Sequence, residues 1–377
     1  MAGLTPERHA LLAAARAVLA GRAFADDALT GCDPALLAAE AHRHQVAPLL
    51  WAALAGTPAE AALPPAVRDD LLLAHHRNGL RNPHLAGRLA ELAGRLAARG
   101  VEAMPLKGLV LAFHAYPAPE LRGMGDLDLL VREADFPALA EELERLGYAA
   151  RLPPLASAEL PAYAQTVGQV RFTGPAPPVE VHFRLLNTGP PPPREPAWDD
   201  AVRLKLGGTA MPVPSPERCL LHLCLHAQQH GFALLRLFAD LAVARRAFAV
   251  DGDRFADLAH RHHLGTTAWF ALAWSAELLD PSAPPPPAAL APGPLARRLF
   301  PCLWRRRRVL ALDLPLADPE AELPRAYLLG GAPLAAKARF LVGVALPPRR
   351  YLARTTRRRH LARLLRGVGR ALFAGGR

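Results

Sequence analysis

The sequence predicts an α+β fold: a small mixed sheet over residues 101–210, flanked by N- and C-terminal helical segments. Three observations predict it. Apolar residues recur at helical spacing up to residue 100 and again from residue 216. Between them, apolar runs too short for helices alternate with amphipathic stretches, in the order strand–helix–strand–helix–strand–strand. Four consecutive prolines at 190–193 mark a loop or domain edge there. The expected division is a helical segment over 1–100, an α/β domain over 101–210, a helical domain over 211–280, and a Pro/Ala linker with a basic helical tail over 281–377.

Taken in order, helical periodicity covers 10–19, 35–54 and 67–98, punctuated by Pro48, Pro58, Pro64 and Pro65. Arg99 followed by Gly100 closes the last of these, a basic final turn before a C-terminal glycine. Residues 101–106 read as a buried strand, 109–115 as a helix, and 126–131 as a strand that opens by alternating acidic and apolar residues. An amphipathic helix over 133–146 ends at Gly147, and 167–173 and 179–186 are two further strand candidates. Helices follow over 219–230, 234–248, 255–263 and 267–279. No internal repeat is present.

The 377 residues, 51% hydrophobic and 21% charged, suit a globular chain of two or three domains. The net charge of +11 is unevenly placed: from Leu323 onward there are 13 Lys and Arg and no Asp or Glu. Residues 1–322 carry 32 basic and 34 acidic groups, so the body is near neutral and its charge does not indicate nucleic-acid binding. Cys32, Cys219, Cys224 and Cys302 form no CxxC pair, which excludes a zinc ribbon and a disulfide framework. The N-terminus reads as an amphipathic helix and not a signal peptide, and no charge-free apolar run reaches 18 residues. The expected location is cytoplasmic.

The candidate chemistry sits in Arg122-Gly-Met-Gly-Asp126-Leu-Asp128-Leu-Leu-Val. On a strand, Asp126 and Asp128 share a face, roughly 6–7 Å apart, while the leucines face the core. Two such carboxylates repel, and a divalent cation relieves the repulsion; Mg²⁺ takes hard oxygen ligands of this kind. Two ions can clamp the attacking and leaving oxygens of a phosphoryl displacement. Val-Glu180-Val-His182 supplies a third acid on another strand, to bind metal or accept a proton. His182 shares that face, as a substrate ligand or an ordinary strand histidine. Lys107-Gly108 falls at a strand-to-helix turn, where backbone amides, a glycine and an ammonium group favour an anion. Arg122 either meets a substrate phosphate or closes a salt bridge in its loop.

Together, Leu106-Lys107-Gly108, Tyr116-Pro117, Arg122, Asp126-Leu-Asp128-Leu-Leu-Val and Val-Glu180-Val-His182-Phe resemble the uncharacterised nucleotidyltransferase family of bacteria, within the DNA polymerase β-like superfamily. The helical segments around 41–50 and 220–241 are also similar, so the resemblance spans roughly 10–280. It implies a mixed-sheet core and two Mg²⁺ ions, with Mn²⁺ as a substitute. It implies transfer of a nucleoside monophosphate from an NTP to an acceptor that the sequence leaves unidentified, a small molecule or peptide. Asp126, Asp128 and Glu180 would be the metal ligands, and Lys107, Gly108, Arg122 and His182 would bind substrate. Two departures stand out: the superfamily has Gly-Ser where this chain has Lys107-Gly108, and the 17 residues from 109 to 125 exceed its usual spacer. The alternative is a non-catalytic nucleotide-binding or interaction module on the same fold.

Two features fall outside this constellation. His222, His226 and His230 recur every four residues on one helical face, as a metal or substrate wall or as packing beside the sheet domain. In the tail, Leu361, Leu364, Leu365, Val368 and Leu372 share a face, with Arg363, Arg366 and Arg370 mostly off it. Such a helix either lies on an anionic membrane or polyanion, or docks with a solvated basic face.

Overall fold

In the computed structural model the described residues are 4–151, 169–175, 177–186, 195–314 and 338. The predicted tail helix and the tetraproline lie outside them.

Five helices come first: α1 (Pro6–Ala20), α2 (Pro34–Arg43), α3 (Ala47–Leu54), α4 (Pro58–Ala61) and α5 (Pro65–Ala97). Local chemistry sets their starts. Thr5 caps α1 and Asp33 caps α2 through side-chain bonds to backbone N–H groups, and a proline opens four of the five at the first helical position. The periodicity that reads as one helix over 35–54 is two helices, because Gln45 turns to φ 58° between them.

The sheet runs β1 (Ala103–Pro105), β2 (Leu127–Val131), β5 (Val179–His182), β4 (Gln169–Thr173), β3 (Ala149–Arg151) across its width. β2 and β5 are parallel and the other pairings antiparallel, so the sheet is mixed as expected. α6 (Gly108–His114) and α7 (Phe136–Arg145) connect its strands. β5 stops at His182, four residues short of the sequence expectation. β3 and a separate hairpin, β6 (Val202–Leu206) with β7 (Thr209–Val213), were not expected. That hairpin turns on Gly207 and Gly208, both at positive φ as a two-residue turn of matching twist requires.

After β7 come α8 (Pro216–Gln229), α9 (Leu235–Ala247), α10 (Gly252–Arg261), α11 (Gly265–Leu279), α12 (Pro294–Leu303) and α13 (Arg306–Leu310). Two cores organise the whole. One joins Leu11, Leu50 and Leu54 of the first helices to Phe238, Leu241 and Trp274 of the later ones. The other joins Leu85, Leu89 and Leu92 of α5 to Leu127 and Leu129 of β2, Leu139 of α7 and Val181 of β5. The helices before and after the sheet therefore share one apolar interior, and the sheet rests on the second half of α5. No helix among the described residues is long and apolar enough to cross a membrane.

Candidate active site

β2 and β5 are neighbours in parallel register, with Asp128 opposite Glu180 and Leu130 opposite His182. Adjacent strands lie about 4.8 Å apart, so this register alone brings two carboxylates side by side. The alternation of β5 adds His182 to the same face. Ligand atoms of Asp128, Glu180 and His182 all fall within 4.8 Å of one another. Asp126 is not in that group: β2 begins at Leu127, so strand alternation does not reach it. Its carboxylate is nonetheless close enough to feel Asp128.

β1 delivers Lys107. The Leu106 amide donates to the Asp128 carbonyl at 2.9 Å, so the chain turns away from the sheet right beside Asp128. The Lys107 ammonium then donates to Asp128 Oδ1 at 2.9 Å, and His182 Nε2 lies 2.8 Å from the same oxygen. Lys107 makes this turn at φ 43° and ψ −104°, a conformation that costs a side-chain-bearing residue about 1–3 kcal/mol. Gly108 is needed for space: an added Cβ would come 2.7 Å from Met124 Sδ and 3.1 Å from an Arg122 nitrogen. The room in front of Gly108 is thus filled by the protein's own side chains.

The electrostatics follow from this crowding. Burial would raise the Asp128 pKa, but the Lys107 charge and the His182 hydrogen bond overcome it and hold the carboxyl far below the usual range. Asp126 and Glu180 shift the other way. Burial raises both, and the charge of Asp128 raises both further. Arg171 of β4 reaches Glu180 at 3.3 Å from a half-exposed position, where screening leaves such a pair little strength. Hard oxygen donors whose charges are mutually costly are the donor set that a divalent cation stabilises. The gathered donors Asp128, Glu180 and His182 therefore fit a metal ion.

Arg122 is placed differently from a phosphate ligand. It is buried, and its guanidinium grips Asp240 of α9 through Nε at 3.2 Å and Nη2 at 2.9 Å. Tyr116 donates to Asp240 at 2.8 Å and Arg236 at 3.0 Å. Helix α5 holds the same loop from the other side. Asn82 donates to the carbonyls of Pro119 at 2.6 Å and Arg122 at 2.9 Å, and Asn78 donates to that of Glu120 at 3.0 Å. The segment entering Asp126 is thereby clamped between α5 and α9. Sequence reasoning gave Asn82 no role and met Asp240 only inside a resemblance. The available signal was an acid four residues after Arg236 in an otherwise apolar stretch.

The histidine face of α8 borders this region. His222 donates from Nδ1 to the Leu185 carbonyl at 2.7 Å, three residues beyond the end of β5. Its ring stacks with His226, and His226 meets His230 edge-on. Among the described residues these three do not gather as a metal-binding group.

Among curated proteins none matches the chain. A family model described as an uncharacterised nucleotidyltransferase matches residues 30–280, which takes in α2 through α5, the whole sheet, the clamped loop and α8 through α11, but not α1. With two thirds of its length matched and its acidic residues gathered on adjacent strands, the chain belongs to this uncharacterised nucleotidyltransferase family.

Proposed function

We propose that the chain is a metal-dependent nucleotidyltransferase, moving a nucleoside monophosphate from an NTP to a hydroxyl or phosphate of a small-molecule or peptide acceptor. One observation carries this reading: the side-by-side register of Asp128 and Glu180 on parallel strands, with Asp126 one residue before β2. Asp126, Asp128 and Glu180 would hold Mg²⁺, or Mn²⁺ in its place, with His182 beside them. When bound, such ions neutralise the triphosphate and polarise its α-phosphorus.

The step is an in-line displacement. An acceptor oxygen forms a bond to the α-phosphorus, the bond between α-phosphorus and bridging oxygen breaks, and pyrophosphate leaves. For a hydroxyl acceptor, Glu180 takes the proton. Lys107 turns from Asp128 to the phosphates as a point charge; the strained turn fits a position kept for that ammonium group. Arg122 acts indirectly, by fixing the loop that carries Asp126. Catalysis comes from positioning and charge neutralisation. The reading gives the protein a cytoplasmic location, where NTPs and Mg²⁺ are supplied; separately, and from its composition alone, the basic tail suits either an anionic membrane surface or polyanion, or a docked helix with a solvated face.

The test is incubation of the protein with each NTP and Mg²⁺ in the presence of a metabolite and peptide extract, followed by mass spectrometry. The expected result is a new species heavier by one nucleoside monophosphate, with pyrophosphate released, and neither formed by Asp128→Asn. NTP binding that is indifferent to metal and to Asp128→Asn would instead identify a non-catalytic nucleotide-binding module.

A further inference from the structure

The α8 histidines form a surface that the proposed chemistry does not use. Spacing of four residues puts His222, His226 and His230 on one face. The His222 and His226 rings lie nearly parallel, 8° apart with centroids separated by 6.3 Å. His226 and His230 meet at 71° and 4.4 Å, so the imidazoles make a continuous strip. The Leu185 bond ties its inner end next to β5. His222 is buried, while His226 and His230 remain partly open to solvent.

The strip is joined to the chain three residues beyond His182, whose ring lies 2.8 Å from Asp128, and its imidazoles are neutral. Burial is the main cause that lowers the pKa of all three, to about 3 for His222 and about 4 for His230. The positive charge of Lys107 lowers all three further, and Asp128 acts on His222 and His230. His226 and His230 are partly open to solvent on the helix face that His222 ties to the end of β5, the strand that carries Glu180 and His182. An anion would choose Lys107 over this face. A flat uncharged ring would choose the face, because neutral imidazoles offer π-faces for stacking and edges that both donate and accept.

We propose that the His222–His226–His230 face of α8 is the seat of the nucleobase of the bound NTP, with His226 and His230 in contact with the ring and His222 fixing the strip to the end of β5. This rests on the nucleotidyltransferase reading, in which the carboxylates and Lys107 take the triphosphate.

Calorimetry of the full chain with Mg²⁺ separates the two ideas, using ATP, GTP, CTP and UTP as probes beside inorganic tripolyphosphate. His226→Ala should weaken the best-bound NTP by roughly tenfold, the worth of one lost base–aromatic stack. It should leave tripolyphosphate within about twofold of wild type, judged against that same scale. His226→Phe, which keeps a ring, should retain most of the NTP affinity, and His230→Ala should change the preference among the four bases. Unchanged thermal midpoints establish that the variants fold. If His226→Ala binds every NTP as wild type does while Asp128→Asn does not, the base seat is refuted and the nucleotidyltransferase reading stands. A parallel loss of NTP and tripolyphosphate also refutes the seat. If wild type binds no NTP at all, both fall.

Discussion

Asp240 is only 1% exposed, yet it is surrounded by donors: Tyr116, two nitrogens of Arg122 and one of Arg236 fill its four acceptor positions. Burial alone would raise its pKa, but the two guanidinium charges hold it below the normal range. Removing the charge leaves two buried arginines without a counter-ion. Asp240→Asn should therefore cost about 3–5 kcal/mol in denaturant unfolding, far more than a surface pair would. Asn82→Ala should cost about 1–3 kcal/mol, since it strands the Pro119 and Arg122 carbonyls. Each substitution should also weaken metal-dependent nucleotide binding in proportion to its effect on the loop before Asp126. At this scale the sequence was partly legible. Asp128, Glu180 and His182 could be named because strand alternation is a local rule. The clamp could not, because a buried aspartate declares its role only through partners 118 and 124 positions away.

Among the elements, α5 does the most to place the site. Its Leu85, Leu89 and Leu92 form the floor of the sheet's core, and its Asn78 and Asn82 grip the loop that enters β2. The β6–β7 hairpin packs on the same helix at its turn. Gly207 stands at φ 56° with the Ala86 carbonyl where a side chain would be. Gly207→Ala combines a forbidden approach with an unfavourable φ and should destabilise the protein by about 2 kcal/mol or more. The same substitution at Gly208, which has open space around it, should cost only the φ penalty of about 1 kcal/mol. Thermal or denaturant melts of the two variants check the order. The hairpin was legible although it was not expected: Val202, Leu204 and Leu206 alternate with Arg203 and Lys205, the period-2 pattern of a strand, and Gly207-Gly208 follows as its turn. β5 was read too long because Phe183, Leu185 and Leu186 are buried after the strand has ended, so apolar character persisted without strand geometry.

For the whole molecule, the expected α+β class is what the structure shows, with a mixed sheet and flanking helices. The class was readable because periods of 3.6 and 2 survive in any context. That α1 and α3 pack with α9 and α11 around one core was not readable, since nothing local pairs segments so far apart. Histidines before and after the sheet are kept neutral by their surroundings, His44 and His222 buried and His230 and His262 partly so. His44, fully buried, is held to about 4, His230 and His262 likewise, and His222 to about 3, burial being the main cause in each. Below about pH 6.5 the unfolded chain takes up protons that the folded chain refuses, so stability falls as pH drops from that value towards 4. His44 alone should contribute on the order of 3 kcal/mol of this loss, and His44→Gln should flatten the pH dependence in unfolding experiments run from pH 7 to 4.

In the proposed reaction the carboxylates on β2 and β5 hold a divalent cation where a nucleotide can share it. Mn²⁺ titration followed by electron paramagnetic resonance tests this most directly, on wild type, Asp128→Asn and Glu180→Gln, with and without a non-hydrolysable NTP analogue. Wild type should take up Mn²⁺, more tightly when the analogue is present, and both variants should lose that uptake. Equal Mn²⁺ binding by all three proteins, or wild-type binding that the analogue leaves unchanged, would contradict it.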